Sequence, residues 1–96
     1  MRKYEVMYIV RPDADEDAVK AAVEKFQNII VNGGGEVTKS DVMGKRRLAY
    51  EINKLRDGYF VLVNFNAEPA VVAELERVMK ISDEVIRYLI TNDVVA

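Results

Sequence analysis

The 96-residue sequence contains no cysteine and no histidine. Without cysteine there is no disulfide framework, no thiol nucleophile and no thiolate metal site. Without histidine the usual proton carrier at neutral pH is missing as well. Only carboxylates, lysines, tyrosines and hydroxyls remain for chemistry, so we expect a protein that is not an enzyme and that has no metal and no cofactor.

Long apolar runs are also absent. No stretch of about 18 apolar residues is present to cross a membrane, and Met1 to Glu5 lacks the apolar region of a secretory signal. We therefore expect a cytoplasmic protein with no membrane partner. Half of the residues are nevertheless apolar, which is enough for one core. With no linker, repeat or low-complexity stretch, residues 1–96 are expected to form a single domain.

The charge is slightly negative overall and locally positive. The chain has 14 basic and 16 acidic residues, which argues against binding a polyanion over its whole surface. From position 45 to position 56, however, only Glu51 is acidic, and five residues are basic: Lys45, Arg46, Arg47, Lys54 and Arg56. This cluster predicts a phosphate-binding site. The alternative is a solvated hairpin whose charges protect an edge strand from aggregation.

The first half of the sequence predicts a strand followed by a helix. Tyr4 to Val10 is apolar or aromatic, and alternate residues share one face. Asp13 followed by Glu16 is typical of a capping box. The apolar positions behind it have helical spacing: Val19, Ala22, Val23, Phe26 and Ile30. Three consecutive glycines starting at Gly33 then predict the end of this helix.

The second half predicts a hairpin, a helix and a last strand. Val37 to Ile52 is a long strand with a bulge or bend at Gly44. Arg56-Asp57-Gly58 is predicted to be the hairpin turn, and Tyr59 to Phe65 the next strand. A second helix begins at Pro69, with Val72, Leu75 and Met79 on its apolar stripe and Val71 and Val78 beside it. Val85 to Thr91 is the last strand.

The order βαββαβ predicts an α+β fold of the ferredoxin-like type, a four-stranded antiparallel sheet with two helices on one face. The other face is left open. We expect Ile86, Tyr88 and Ile90 to face the helices, and four residues to point outward: Phe60, Leu62, Arg87 and Leu89. An apolar patch beside basic residues usually marks a binding site for a partner.

The same residues carry a family resemblance. Gly44, Arg46, Leu48, Ala49, Tyr50 and Ile52 match the signature of the family of the sixth protein of the bacterial small ribosomal subunit. The opening five residues resemble the family's start, and Gly58-Tyr59-Phe60 resembles the entry to its third strand. The similarity runs from Met1 to about Asp93. Many members continue into a longer, often charged tail that this sequence lacks.

The resemblance implies a structural protein of the cytoplasmic ribosome. It would bind the central domain of small-subunit ribosomal RNA as a heterodimer with the basic eighteenth protein of that subunit and support subunit assembly. A basic partner would also explain how an acidic chain joins an RNA complex. No small-molecule substrate is expected.

Two sets of site residues follow. The expected RNA contacts are Arg2, Arg46, Arg47, Tyr50, Lys54 and Arg87. The expected protein contacts are Phe60, Leu62 and Leu89. Arg46 and Arg47 are neighbours in a strand, so they are expected to point in opposite directions. Arg2 and Arg87 are expected on adjacent strands, where both could extend the basic surface.

Other functions were weighed. The segment from Arg56 to Val61 partly matches the first signature of RNA-recognition modules, but only Phe60 would reach the open face, too few aromatics for a base platform. A small ferredoxin-like enzyme or ligand-binding dimer, with a pocket between sheet and helices, is one rival. A self-associating sheet module that binds no nucleic acid is another.

One acidic pattern resembles a calcium site. Asp13, Asp15, Asp17 and Glu24 have the spacing of an EF-hand loop, but Ala18 stands where that loop needs glycine. Acidic residues in the first turn of a helix complement its dipole, which is the interpretation we prefer.

Overall fold

One layer of the structure is an antiparallel sheet of four strands, and the other is a pair of helices. The computed structural model describes residues 1–52 and 55–92, with the backbone alone at 49, 51 and 52. The elements in chain order are β1 (Arg2–Val10), α1 (Glu16–Asn32), β2 (Glu36–Ile52), β3 (Leu55–Ala67), α2 (Pro69–Ile81) and β4 (Val85–Asn92). The strands are ordered β2-β3-β1-β4. The predicted ferredoxin-like fold is confirmed.

The core lies between the sheet and the helices. Alternate residues of the two central strands point into it because side chains of a strand alternate between its faces. These residues are Tyr4, Val6, Tyr8 and Val10 from β1, and Val61, Val63, Phe65 and Ala67 from β3. The helices contribute Val19, Ala22, Phe26, Ile30, Val71, Leu75 and Met79. Tyr8 meets Phe26 edge to face, with ring centroids 5.1 Å apart.

The first helix begins two residues later than the predicted capping box. Its N-cap is Asp15, whose carboxylate accepts a hydrogen bond from the backbone N–H of Ala18 at 2.8 Å. Asp13 instead lies 3.4 Å from the guanidinium of Arg11. The prediction that Asp13 caps the helix is therefore wrong. Both aspartates satisfy the residue preference of an N-cap, and only the chain path selects between them.

The apolar stripe of α2 also differs by one position. Val71, Leu75 and Met79 are buried, whereas Val72 and Val78 are only partly buried against the core. The buried residues are spaced i, i+4 and i+8, so the helix is rotated slightly from the predicted stripe, which began at Val72.

Glycines mark two irregular places in the long hairpin. Gly44 has φ of +87° and lies where the β2–β3 register shifts, as the predicted bulge requires. The predicted turn at Asp57-Gly58 is wrong, because both residues lie within β3 opposite Arg47 and Arg46. Pairing continues beyond them to Ile52 and Leu55. Residues 53 and 54 lie outside the described ranges.

The last strand carries one further correction. Between Ile9 and Val10 the β1–β4 register shifts, so that Val10 pairs with Val85 and Ile9 with Arg87. Val85 therefore packs against the core, together with Tyr88 and Ile90 as predicted. The prediction for Ile86 is wrong: its side chain lies near Gly58 and Ile9, on the side away from the helices. A bulge adds one residue and so reverses the facing of what precedes it.

Candidate nucleic-acid and protein interface

The side of the sheet away from the helices, called the outer face here, is apolar at its centre. Met7 of β1 pairs with Leu62 of β3 and with Leu89 of β4, and Ile9 pairs with Phe60. Cross-strand partners share a face, so these five side chains lie side by side. Leu89 is 56 % exposed. The predicted outward orientation of Phe60, Leu62 and Leu89 is confirmed.

A groove of about 220 Å³ crosses this face. It is lined by Met7, Ile9, Leu48, Tyr50, Phe60, Arg87, Tyr88 and Leu89. Ile9 is only 4 % exposed although it is on the side without helices. Part of the outer face is therefore covered, and the cover comes from β2.

Leu48 and Tyr50 reach the groove through an irregular stretch of the hairpin. Arg47 pairs with Asp57 and Ile52 with Leu55, so β2 has four residues where β3 has one. An excess of residues on one strand bends that strand out of the ladder. Leu48 is 9 % exposed and lines the groove beside Phe60. We call residues 48–50 the covering segment.

The covering segment reaches the opposite edge of the sheet. The guanidinium of Arg87 on β4 donates a hydrogen bond to the Tyr50 hydroxyl. The same guanidinium carbon lies 5.6 Å from the centroid of the Tyr50 ring, in cation–π range. The Tyr50 ring remains 59 % exposed. Two of the predicted RNA contacts, distant in sequence, are thus brought together.

The adjacent arginines Arg46 and Arg47 diverge, as the sequence predicts. Arg46 pairs with Gly58 on the outer-face side, and Arg47 pairs with Asp57 on the other side. The Arg46 Nε donates to the backbone carbonyl of Met43 at 3.4 Å. Both arginines are exposed. Arg46 is therefore placed with the groove and Arg47 beside a carboxylate.

The remaining basic residues are not part of the same surface. The strands carrying Arg2 and Arg87 do pair, but Arg2 is opposite Ala67 whereas Arg87 is opposite Ile9. Seven residues along β1 separate the two positions, about 23 Å at the rise of a strand. Arg2 also shares the face of Tyr4, towards the helices. Lys54 lies outside the described residues.

Sequence reasoning did not assign Leu48 and Ile9 to the site. A signal was present, since Leu48 alternates with Tyr50 in the motif that carries the family resemblance. Its burial depends on the four-against-one bulge, which periodicity does not reveal. Ile9 was passed over because the opposite face of β1 supplies the core.

A second groove lies between α1 and the hairpin. Its volume is about 360 Å³, and its apolar lining includes Val19, Val23, Val42 and Tyr59. Glu16, Lys20 and Glu24 line it from successive turns of α1. The ammonium of Lys45 lies 5.9 Å from the Tyr59 ring centroid. This groove corresponds to the pocket that the ligand-binding alternative required, but its charges are spread along one helix.

Comparison with known proteins agrees with this geometry. The sequence model of the family described as ribosomal protein S6 matches residues 3–92. The chain belongs to the ribosomal protein S6 family. Two curated relatives, each named small ribosomal subunit protein bS6, have nearly the same length. That of Exiguobacterium sibiricum is 57% identical over 93 residues, covering 97% of this chain and 98% of the relative. That of Moorella thermoacetica is 58% identical over 92 residues, covering 96% and 94%.

A solved structure places this S6 family member in the same fold. The crystal structure of 30S ribosomal protein S6 from Thermotoga maritima matches with a TM-score of 0.90 at 32% identity, covering 95% of this chain and 86% of that chain. As a ribosomal protein S6 family member, the protein is a structural constituent of the bacterial small ribosomal subunit in the cytoplasm and not an enzyme. In the described ranges, neither helix is long and apolar enough to span a membrane.

Proposed function

We propose that this protein binds the central domain of small-subunit ribosomal RNA as a heterodimer with the eighteenth protein of that subunit, and so supports subunit assembly. The observation that carries the proposal is the outer face, where an apolar groove is bordered by Arg46 on one side and Arg87 on the other. An uncovered apolar surface suits a protein partner, and bordering guanidinium groups suit phosphates.

The protein partner is assigned to the centre of the outer face. Phe60, Leu62 and Leu89 form an apolar strip across β3 and β4, continued by Met7 on the strand between them. Aromatic and methionine side chains are enriched at the buried centre of protein interfaces. A basic partner seated there would also supply phosphate-neutralising charge, which this chain, with a formal charge of −2, has little of.

The RNA is assigned to the basic side chains and the exposed ring around this strip. The proposed contacts are Arg2, Arg46, Arg47, Tyr50, Lys54 and Arg87. Arginine binds phosphate oxygens through a planar fork and can stack on a base, and a tyrosine ring can stack on an unpaired base. Arg46 and Arg87 border the groove and are expected to contribute most. Arg2 lies at the far end of β1 and would need a separate part of the RNA.

The first test is binding to a central-domain RNA fragment, with and without the eighteenth protein, at two salt concentrations. Tight and salt-sensitive binding that requires the partner is the expected result. If neither protein alone nor the mixture binds, while the partner is shown to be folded, the proposal is wrong. Light scattering of the protein alone distinguishes a homodimer, the outcome that would favour a self-associating sheet module.

The second test removes charge from the hairpin. In Arg46→Ala/Arg47→Ala the arginines diverge, so we expect the loss of one phosphate contact, which lowers the slope of log affinity against log salt by roughly 0.7 to 0.9. The control is Arg77→Ala/Lys80→Ala on α2, which removes the same charge from residues paired with Glu74 and Glu76. Equal behaviour of the two variants would refute the hairpin assignment.

A further inference from the structure

We infer that the covering segment is an internal competitor of the protein partner: residues 48–50 occupy the groove in the free protein and must leave it before the partner packs on the centre of the outer face. This inference rests on the proposed function, since it concerns the same surface. It adds a step that the apolar composition of the face does not by itself imply.

The burial of Leu48 is the first observation. Leu48 is 9 % exposed, whereas Val42, on the same strand and towards the helix side, is 50 % exposed. Leu48 is not part of the core between sheet and helices. Its burial comes from the groove walls, which include Phe60 and Leu89. Those are two of the side chains assigned to the partner, so both occupants use the same apolar surface.

The contact between Tyr50 and Arg87 is the second observation. It connects β2, at one edge of the sheet, to β4, at the other edge. A segment that spans from edge to edge lies over the two central strands, β3 and β1. The low exposure of Ile9, at the middle of that path, agrees with such a cover. The cation–π contact and the hydrogen bond hold its end in place.

The cost of displacing the segment is set by what it buries. A partner that needs the open groove binds with an affinity lowered by the fraction of molecules in which the groove is open. Leu48 is the buried apolar side chain of the segment, and its removal shifts the balance towards the open groove. Removal of the Tyr50 hydroxyl acts in the same direction, by less, because the ring and its cation–π contact remain.

The experiment is calorimetric titration with the eighteenth small-subunit protein, without RNA, of the wild type, Leu48→Ala, Tyr50→Phe and the control Val42→Ala. We expect Leu48→Ala to bind about tenfold more tightly than wild type, the scale of one leucine burial. Tyr50→Phe is expected to bind more tightly than wild type by a smaller factor, and Val42→Ala like wild type. Circular dichroism first confirms that each variant is folded, and if Leu48→Ala is not, Tyr50→Phe decides.

The outcomes separate this inference from the function on which it rests. If wild type and Leu48→Ala bind the partner equally, or Leu48→Ala binds less tightly, the heterodimer stands and the competitor is refuted. If no variant binds, the proposed heterodimer fails, and the competitor fails with it. Binding by Leu48→Ala alone would support both. In the free wild type, nuclear Overhauser contacts from the Leu48 methyls to Phe60 are expected, and their absence would also refute the inference.

Discussion

Replacing Tyr8 with phenylalanine is expected to make the protein more stable. Tyr8 is 0 % exposed, and its hydroxyl has no hydrogen-bond partner in the part of the chain that the structure describes. A buried hydroxyl without a partner costs the free energy of its lost hydration. Phenylalanine removes that cost and keeps the ring, which packs edge to face on Phe26.

The magnitude follows from two opposing terms. An unsatisfied buried polar group costs about 1 to 3 kcal/mol. Deleting the oxygen leaves a small void whose lining loses some dispersion contacts, and we take about 0.5 to 1 kcal/mol for this. The expected net gain in the free energy of unfolding is therefore about 1 to 2 kcal/mol. In a domain of this size each kcal/mol raises Tm by roughly 4 to 8 °C.

The same group makes a pH prediction. Burial raises the pKa of Tyr8 above its ordinary value, so the folded state holds the proton above pH 10 while the unfolded state, with a pKa of about 10, releases it. The unfolded state then binds fewer protons, and stability falls as pH rises from about 10. Tyr8→Phe is expected to lower that fall by about 1.4 kcal/mol per pH unit, which corresponds to one proton.

The assay is urea unfolding followed by circular dichroism at neutral pH and at several values above pH 10. Tyr59→Phe is the control, because Tyr59 is only half-buried and lines a groove, and it is expected to change stability by less than about 0.5 kcal/mol. A Tyr8→Phe variant that is less stable than wild type would refute the reasoning, since it would mean that the hydroxyl is hydrogen-bonded in the folded protein.

Two further predictions concern the corrected elements. Asp15→Ala removes the side-chain cap of α1, the bond to the Ala18 N–H, and is expected to cost about 1 kcal/mol in urea unfolding, whereas Asp13→Ala changes little; equal effects would contradict the cap assignment. Gly58→Ala would place a methyl group 2.4 Å from Ile9 Cγ2 and is expected to cost about 1 to 3 kcal/mol, and a variant as stable as wild type would show that Ile9 moves freely.

Periodicity was sufficient for the elements because each one buries a single face. The alternation in Tyr4 to Val10 and the spacing from Val19 to Ile30 gave the strand and the helix correctly, and the order of elements then left few topologies. The fold class and the outward side of Phe60 and Leu89 followed from these patterns.

The errors fall where residue preference and chain path disagree. Asp57-Gly58 has the composition of a hairpin turn, yet Gly58 lies inside β3 because Ile9 packs closely over it. Ile86 was assigned to the wrong face because a bulge in the β1–β4 pairing is invisible to a period of two. The contact of Tyr50 with Arg87 joins the two edges of the sheet, which no local pattern can show.

The strand order has a consequence for synthesis of the chain. β1 pairs only with β3 and β4, and β4 begins 75 residues after β1 ends. At roughly 5 to 20 residues per second, the nascent chain carries an unpaired apolar strand for roughly 4 to 15 s. Such a strand is an aggregation hazard. It is flanked by Arg2, Lys3 and Arg11, charges of the kind that keep exposed strands from associating. Arg2 therefore has a use before any RNA is bound.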